Sequence, residues 1–175
     1  LAHSQIIHKK TDKSRKYYRI QGVDILDDSF KQYATKRFLP LSLIYKLHLQ
    51  KKVEDGIIKT YYHGKETVLP VTLSITKEFV RFMGFFVAEG HSDTRQIGLT
   101  FGKHEDHYVK EMVNFVQIMG LNCTIEHRDN RSIRVKIFGN IFVKFTRAVC
   151  GKLAAGKNIP PFVFLTNKDM LQHFI

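Results

Sequence analysis

The residue of this chain whose type and position most clearly favour chemistry is Glu89, the acid that ends an apolar helical pattern over residues 82–90 and directly precedes Gly90. The helix dipole puts partial negative charge at the last turn of a helix, so a carboxylate there is in an unfavourable field. Glycine readily takes the left-handed conformation that ends many helices. The pattern therefore predicts a helix that stops at a left-handed Gly90 and whose terminal carboxylate binds a cation.

The same pattern places two small residues on one side of the predicted helix. Gly84 and Ala88 are four residues apart, which puts them on the same helix face. Small side chains let the backbone of a second helix come close. We therefore predict a helix interface at Gly84 and Ala88, with core-facing bulk from the neighbouring phenylalanines Phe79, Phe82, Phe85 and Phe86.

Residues 82–90, read Phe-Met-Gly-Phe-Phe-Val-Ala-Glu-Gly, resemble the dodecapeptide of LAGLIDADG homing endonucleases, and the intein-encoded members in particular. Residues 91–93 and 96–101 are similar to the strand region that follows the first motif in that family. Two positions depart from the common pattern: Val87 where many members carry an Asp, and Glu89 where the commoner acid is Asp. Neither departure removes the carboxylate. The resemblance covers residues 74–175.

The resemblance implies an α+β half-domain, in which a motif helix and flanking helices support a curved antiparallel sheet that lies in the DNA major groove. It implies metal-dependent double-strand cleavage at a long recognition site, with Mg²⁺ or Mn²⁺ held at Glu89 and Gly90. Carboxylate-bound divalent metals suit phosphodiester hydrolysis because they activate water and stabilise charge. Lys157, which precedes an Ile-Pro pair, matches a lysine thought to support water activation in intein endonucleases. Glu89 and Lys157 are therefore the expected catalytic residues.

A single motif acid is present in this chain, so the resemblance implies a second half that supplies another. That half is either a homodimer partner or a C-terminal part, because the sequence stops where the second motif of two-motif relatives begins. We expect the enzyme to be an endodeoxyribonuclease of which this chain is one half. Two alternatives stay open: a catalytically inactive DNA-binding remnant and an RNA-binding splicing cofactor.

The charge of the chain agrees with a polyanionic partner. Lys and Arg total 28 against 16 acidic residues, which gives a formal net charge of +12 and a sequence pI near 9.7. Double-stranded DNA is the expected partner, although charge alone also suits a ribosomal-type surface or simple solubility. The candidate DNA-binding residues lie on or beside predicted strands, where they could contact phosphates or read guanine edges: Arg95, Arg128, Arg131, Arg134 and Lys136.

Cysteine usage and hydropathy indicate the cellular compartment of the protein. Cys123 and Cys150 lie at apolar positions without CxxC spacing, which predicts reduced core residues in a cytoplasmic protein. The apolar runs are far shorter than a bilayer span, and the N-terminus lacks a signal-peptide pattern. We expect no membrane partner.

Periodicity predicts the elements that position these residues. In the half-domain it predicts a helix over residues 77–89 capped by Thr76, a strand over 96–101 with a short partner near 91–94, an amphipathic helix over 108–119, a hairpin of 123–125 with 133–137, a helix over 142–150 and a last helix capped by Thr166. Residues 1–73 form an N-terminal strand-rich segment, with strands within residues 5–20 and 57–69 and a helix within 38–52.

The N-terminal segment resembles, more distantly, a strand pair of intein splicing domains, so we interpret it as a splicing-domain remnant or a DNA-contacting arm. Basic residues are frequent over residues 9–19, which favours phosphate contact. The chain lacks an initial Cys or Ser and a terminal His-Asn pair, which are the groups that protein splicing uses. We therefore do not expect this chain to splice itself.

Overall fold

The structure, a computed structural model, describes residues 5–8, 16–20, 23–36, 38–62, 65–128, 132–152 and 156–174. Its described elements are helices and antiparallel sheets, an α+β fold. The chain divides into two compact units, Leu1–Glu54 and Asp55–Ile175. This boundary precedes the one expected at residues 73/74, because a hairpin over residues 57–70 contributes Leu69 to the core of the second unit.

The first unit contains a three-stranded antiparallel sheet in the order β1 (Gln5–His8), β2 (Lys16–Ile20), β3 (Val23–Leu26). Two helices follow, α1 (Asp27–Lys36) and α2 (Leu41–Lys46), and then a 3-10 turn at Gln50–Lys52. A small core forms from Ile25, Leu43 and Leu47. The basic stretch between β1 and β2 that suggested a DNA-contacting arm lies largely outside the described residues.

The helix predicted within residues 38–52 is only partly correct. It begins after Pro40, which caps α2 with an extended backbone, and it ends at Lys46. His48 then takes a positive φ of 51°, which interrupts the helix before the 3-10 turn. α1 was not predicted, whereas the two strands expected within residues 5–20 are confirmed.

The second unit carries most of the described elements. They are β4 (Ile57–Tyr62), β5 (Lys65–Pro70), α3 (Lys77–Glu89), β6 (Gly90–Ser92), β7 (Gln96–Gly102), α4 (Asp106–Ile118), β8 (Asn122–Arg128), β9 (Ser132–Phe138), α5 (Asn140–Cys150), a 3-10 helix at Pro161–Leu165 and α6 (Lys168–Leu171). β4 and β5 form a hairpin, and the other strands form a four-stranded sheet in the order β6-β7-β9-β8. The strands and helices predicted from periodicity in residues 74–150 are thus confirmed.

Local interactions explain where α3 begins and ends. Thr76 caps its start as predicted, because the hydroxyl oxygen accepts a hydrogen bond from the Phe79 amide at 3.3 Å. The left-handed Gly90 expected at its end is wrong: Gly90 has φ −76° and ψ 155° and is the first residue of β6. Glycine is needed there for space instead, since a Cβ would lie 2.5 Å from the Phe86 carbonyl oxygen.

The cap expected for the last helix also needs correction. Asn167 caps α6, because its side-chain oxygen accepts a hydrogen bond from the Met170 amide at 2.9 Å. The hydroxyl of Thr166 instead donates to the Val163 carbonyl at 2.7 Å. Asn is among the residues that best cap a helix, and here it lies one position closer to the helical residues than Thr166.

The core of the second unit lies between the helices and one face of the four-stranded sheet. Phe82 of α3 stacks on Phe115 of α4 with 4.8 Å between ring centroids, and Phe142 of α5 lies 5.2 Å from Phe82. Each fully buried side chain of this size contributes roughly 1.5–3 kcal/mol. The sheet adds alternate residues of β7 and β9 to this core, which are Ile97, Leu99, Phe101, Ile133, Val135 and Ile137.

Both cysteines are free thiols, as expected, with Cys150 buried and Cys123 half-buried. Burial raises the pKa of the Cys150 thiol to about 12, so it stays protonated. Among the helices of the described residues, none has the length and apolar character that crossing a bilayer requires.

Candidate nucleic-acid interface and carboxylate site

The second face of the four-stranded sheet, which we call the open face, carries the residues that alternate with the core. β9 contributes Arg134 and Lys136, with Val135 between them turned to the core. Strand pairing sets Arg134 between Thr100 of β7 and Glu126 of β8, and sets Lys136 between Gly98 and Thr124. Directly opposed residues share a face, so these side chains form neighbouring rows across the sheet. The structure therefore brings together the predicted Arg134 and Lys136, with Arg128 at the end of β8 on the same face.

An acid that the sequence interpretation did not select holds two of these cations. The Glu126 carboxylate accepts a hydrogen bond from the Lys136 ammonium, and Arg128 Nη2 lies 3.8 Å from its second oxygen. The hydrogen bond from Lys136 lowers the pKa of Glu126, and the positive charges of Lys136, Arg128 and Arg134 act in the same direction. Glu126 is therefore ionised at neutral pH, and it offsets part of the positive charge of the open face.

Arg134 differs from the other cations of the open face. Its Nε is buried, and within the described residues it has no hydrogen-bond acceptor. A buried donor left without a partner typically costs about 1–3 kcal/mol. No hydrogen bond at Nε therefore fixes the Arg134 guanidinium within the described residues.

His91 of β6 lies beside these cations and was not among the selected residues. It is opposite Gly98, and a Cβ at Gly98 would overlap its imidazole ring. Partial burial lowers the pKa of His91, and the positive charge of Arg134 lowers it further. The weaker effects of Lys157 and Arg128 act in the same direction, against that of Asp93. The open face near His91 is thus a region of positive potential.

The carboxylate site lies where α3 passes into β6. Glu89 is exposed at the end of α3. The Lys157 ammonium donates a hydrogen bond to the Val87 carbonyl at 3.1 Å and lies 5.3 Å from the centroid of the Phe86 ring. A cation is well placed at the C-terminal carbonyls of a helix. Burial lowers the pKa of Lys157, and the nearby Glu89 carboxylate acts against that shift. The two predicted catalytic residues therefore lie close enough to interact.

The metal site expected at Glu89 and Gly90 is incomplete as far as the described residues go. Gly90 is buried and carries no side-chain donor. The described residues contain no group of three or more His, Cys, Asp or Glu that could hold a metal ion. Mg²⁺ keeps several waters and is often held by one or two protein carboxylates. Glu89 fits the role of one such ligand, and the remaining ligands would come from water, substrate or a further carboxylate.

Two other predicted DNA-binding residues are not part of the central rows. Arg95 lies in the turn between β6 and β7, where its amide and that of Gln96 donate hydrogen bonds to the Asp93 carboxylate at 2.6 and 2.9 Å. This turn is at one end of the sheet. Arg131 lies outside the described residues.

The two residues of the predicted helix interface differ in burial: Gly84 is buried and Ala88 is exposed. Gly84 is buried, and a Cβ there would overlap the carbonyl of Phe174, the residue of the same chain that lies shortly after α6. The close backbone approach expected at Gly84 is therefore made within the chain. Ala88, one turn further along, is exposed.

Comparisons with known proteins give distant similarities. No protein-family model matches the chain. Over 124 residues it is 28% identical to an uncharacterized protein of Methanocaldococcus jannaschii, a match that covers 64% of this chain and 14% of the relative. Over 103 residues it is 22% identical to transcription initiation factor IIB of the same organism, which covers 59% of this chain and 15% of that protein. The chain is thus similar to a minor part, about one seventh, of each of these curated relatives.

Proposed function

We propose that this chain is one half of an intein-type LAGLIDADG homing endonuclease, which binds double-stranded DNA on the open face and hydrolyses phosphodiester bonds with Mg²⁺ or Mn²⁺. One observation carries the proposal. Glu89, whose side chain is exposed, is the last residue of α3, and the next residue, Gly90, begins β6, the edge strand of the four-stranded sheet. The open face of that sheet bears Arg134, Lys136 and Arg128. A potential metal ligand and a basic sheet surface are therefore parts of one rigid framework.

The open face has the properties that duplex binding requires. A β-ribbon can enter the major groove, where its side chains reach base edges and phosphates. Each phosphate that Lys or Arg neutralises releases counterions, which makes the affinity fall with salt. Because Glu126 already pairs with Lys136 and approaches Arg128, DNA has to compete with this carboxylate for those two cations.

Catalysis in this proposal depends on the residues at the end of α3. A bound divalent metal would lower the pKa of a water and stabilise charge on the phosphate. Glu89 would contribute a carboxylate oxygen to that metal. Lys157, fixed by the Val87 carbonyl and by the Phe86 ring, would hold positive charge beside the reacting phosphate. Its partly buried position keeps this charge from being fully screened by water.

We place the second half in the same polypeptide, after α6. A second copy of this chain would have to displace Phe174 before its helix could reach Gly84. A chain that continues beyond Phe174 would need no such displacement, and Ala88, one turn further along α3, is exposed. The second acid would then come from that continuation.

The similarity to known proteins is compatible with an inserted element. Two proteins of one organism, with different names, each match this chain over only 14–15% of their own length. A segment that recurs as a minor part of differently named proteins is what an intein-borne endonuclease would produce.

The test uses supercoiled plasmid that carries the host gene without its insertion, incubated with Mg²⁺ and either this chain or a version extended past residue 175. We expect double-strand cutting from the extended version and its loss in Glu89→Gln, which keeps the shape and removes the charge. Glu78→Gln is the matched control, because Glu78 is an exposed glutamate in the first turn of the same helix. Undiminished cutting by Glu89→Gln contradicts the assignment of Glu89.

A DNA-binding remnant is the second candidate, favoured by the lone carboxylate at the end of α3 and by the lack of a three-residue metal group in the described residues. It predicts salt-sensitive duplex binding without nicking in Mg²⁺ or Mn²⁺, even from the extended version. Preference for structured RNA over duplex DNA would instead support a splicing cofactor.

A further inference from the structure

Glu126 and Arg134 face each other on neighbouring strands of the open face. They are direct partners in the antiparallel pairing of β8 and β9, so their Cβ atoms are about 4.5–5.5 Å apart. Glu126 holds Lys136 and approaches Arg128, whereas the buried Nε of Arg134 has no acceptor in the part of the chain that the structure describes. An ionised carboxylate and a guanidinium with which it forms no hydrogen bond therefore lie side by side.

This pair has the chemistry of one base pair in the major groove. Arginine donates two hydrogen bonds to guanine O6 and N7, and a carboxylate accepts a hydrogen bond from the cytosine N4 amino group. Guanine O6 and cytosine N4 are bonded to each other within a G·C pair, so both base edges lie next to one another on the groove floor. Two facing residues of adjacent strands match that spacing.

The charge of Glu126 also affects whether Arg134 can bind a phosphate. A phosphate bound by Arg134 would lie near the ionised Glu126, and two negative charges at such a distance repel. A glutamate at the centre of a basic surface therefore disfavours backbone contact at this row. It favours a ligand that brings an acceptor for Arg134 together with a donor for Glu126.

We propose that Glu126 and Arg134 form a base-reading pair that selects a G·C pair in duplex DNA. Glu126 is the specificity-determining member. It accepts from cytosine, and it weakens binding to non-cognate DNA because it neutralises Lys136 and Arg128. This inference rests on the proposed function of the open face in DNA binding and goes further by naming the base pair and the residues that read it.

The experiment selects bound sequences from a random duplex library, with the full chain as wild type, Arg134→Gln and Glu126→Gln. We expect the wild type to prefer G·C over A·T at one position by about tenfold to a hundredfold. Both variants should lose that preference at the same position. Their affinities for unrelated duplex DNA should change in opposite directions: lower in Arg134→Gln, which loses a cation, and higher in Glu126→Gln, which frees Lys136 and Arg128.

Lys144→Gln is the charge-matched control for Arg134→Gln, because Lys144 is exposed on α5 rather than on the sheet. It should leave the selected sequence unchanged, and circular dichroism should show that every variant is folded. If both variants keep the wild-type preference, or if Arg134→Gln weakens all sequences equally, the inference fails while DNA binding stands. If the wild type binds no duplex at low salt, the proposed function fails and the inference fails with it.

Discussion

The two faces of the four-stranded sheet differ in burial and in charge: one face forms the core, and the open face carries basic residues. Along β9, Val135 and Ile137 are fully buried, whereas Arg134 and Lys136 on the alternate face are only half-buried. Neighbours in sequence therefore belong to different environments, one without water and one open to a ligand. If the open face binds DNA as proposed, the difference teaches that substitutions one residue apart can separate folding from binding.

The largest effect is expected on the core face. Ile137→Ala removes a fully buried side chain and should lower the free energy of unfolding by about 2–5 kcal/mol, through lost burial and the cavity that remains. Urea denaturation monitored by circular dichroism measures this. The adjacent Lys136→Ala is the control, because its ion pair with Glu126 is only half-buried and surface ion pairs contribute about 0–1 kcal/mol. Equal losses in the two variants would erase the distinction between the faces.

The next effect concerns binding on the open face. Lys136→Gln should weaken duplex binding similarly for all sequences, and should reduce the slope of log affinity against log salt by about 0.9 if Lys136 contacts one phosphate. Its free energy of unfolding should stay near that of the wild type. Fluorescence anisotropy across a salt series gives the affinity and its salt slope, and urea denaturation gives the free energy of unfolding. An unchanged slope would mean that Lys136 stays with Glu126 when DNA binds.

A smaller effect should come from Gly98, where the open face is crowded. Gly98→Ala puts a methyl group into the space of the His91 ring, which has to turn away. Since His91 is a surface residue whose ring can move, we expect a stability loss of at most about 1 kcal/mol, below the usual range for overpacking a closed core. The double variant with His91→Ala should recover it, as a double-mutant cycle by thermal unfolding would show. A loss that His91→Ala does not relieve would place the strain in the strand itself.

The smallest effect is a pH dependence from Glu126. Its pKa in the folded chain is below the usual 4.5, so the stabilisation is fully present above that value and is lost as pH falls through the folded pKa. Glu126→Gln should therefore show a shallower fall in melting temperature on acidification below about pH 4.5. Differential scanning calorimetry between pH 3 and pH 6 measures the difference. Parallel curves for wild type and variant would show that the pairing with Lys136 adds nothing to folding.

Much of the second unit could be predicted from local patterns. The helix from Lys77 to Glu89 follows from its apolar periodicity and from Thr76, and the strands β7 and β9 follow from alternation. α1 was missed because its sequence is mostly polar and its position depends on packing rather than on a strong periodic pattern. Asn167 was missed because two adjacent residues can both cap a helix, and the Thr166 hydroxyl donates to the Val163 carbonyl instead.

The candidate site was harder to predict than the elements that carry it. Alternation placed Arg134 and Lys136 on one face, but the role of Glu126 depends on the register of β8 against β9. Similarly, the contact of Lys157 with the Val87 carbonyl joins residues 70 positions apart, which no local rule predicts. The conformation of Gly90 follows from its pairing opposite Leu99, another contact distant in sequence. Each of these features depends on how separate elements meet.

The direct passage from α3 into β6 makes the helix and the edge strand one mechanical piece. No residue separates Glu89, the last of the helix, from Gly90, the first of the strand, and Gly90 packs tightly against Phe86. A rotation of α3 about its axis would therefore move the Glu89 carboxylate and His91 together. The Phe174 backbone, which packs on α3 at Gly84, would consequently influence where the carboxylate lies relative to the sheet. If Glu89 holds a metal as proposed, that packing would also decide which phosphate the metal reaches.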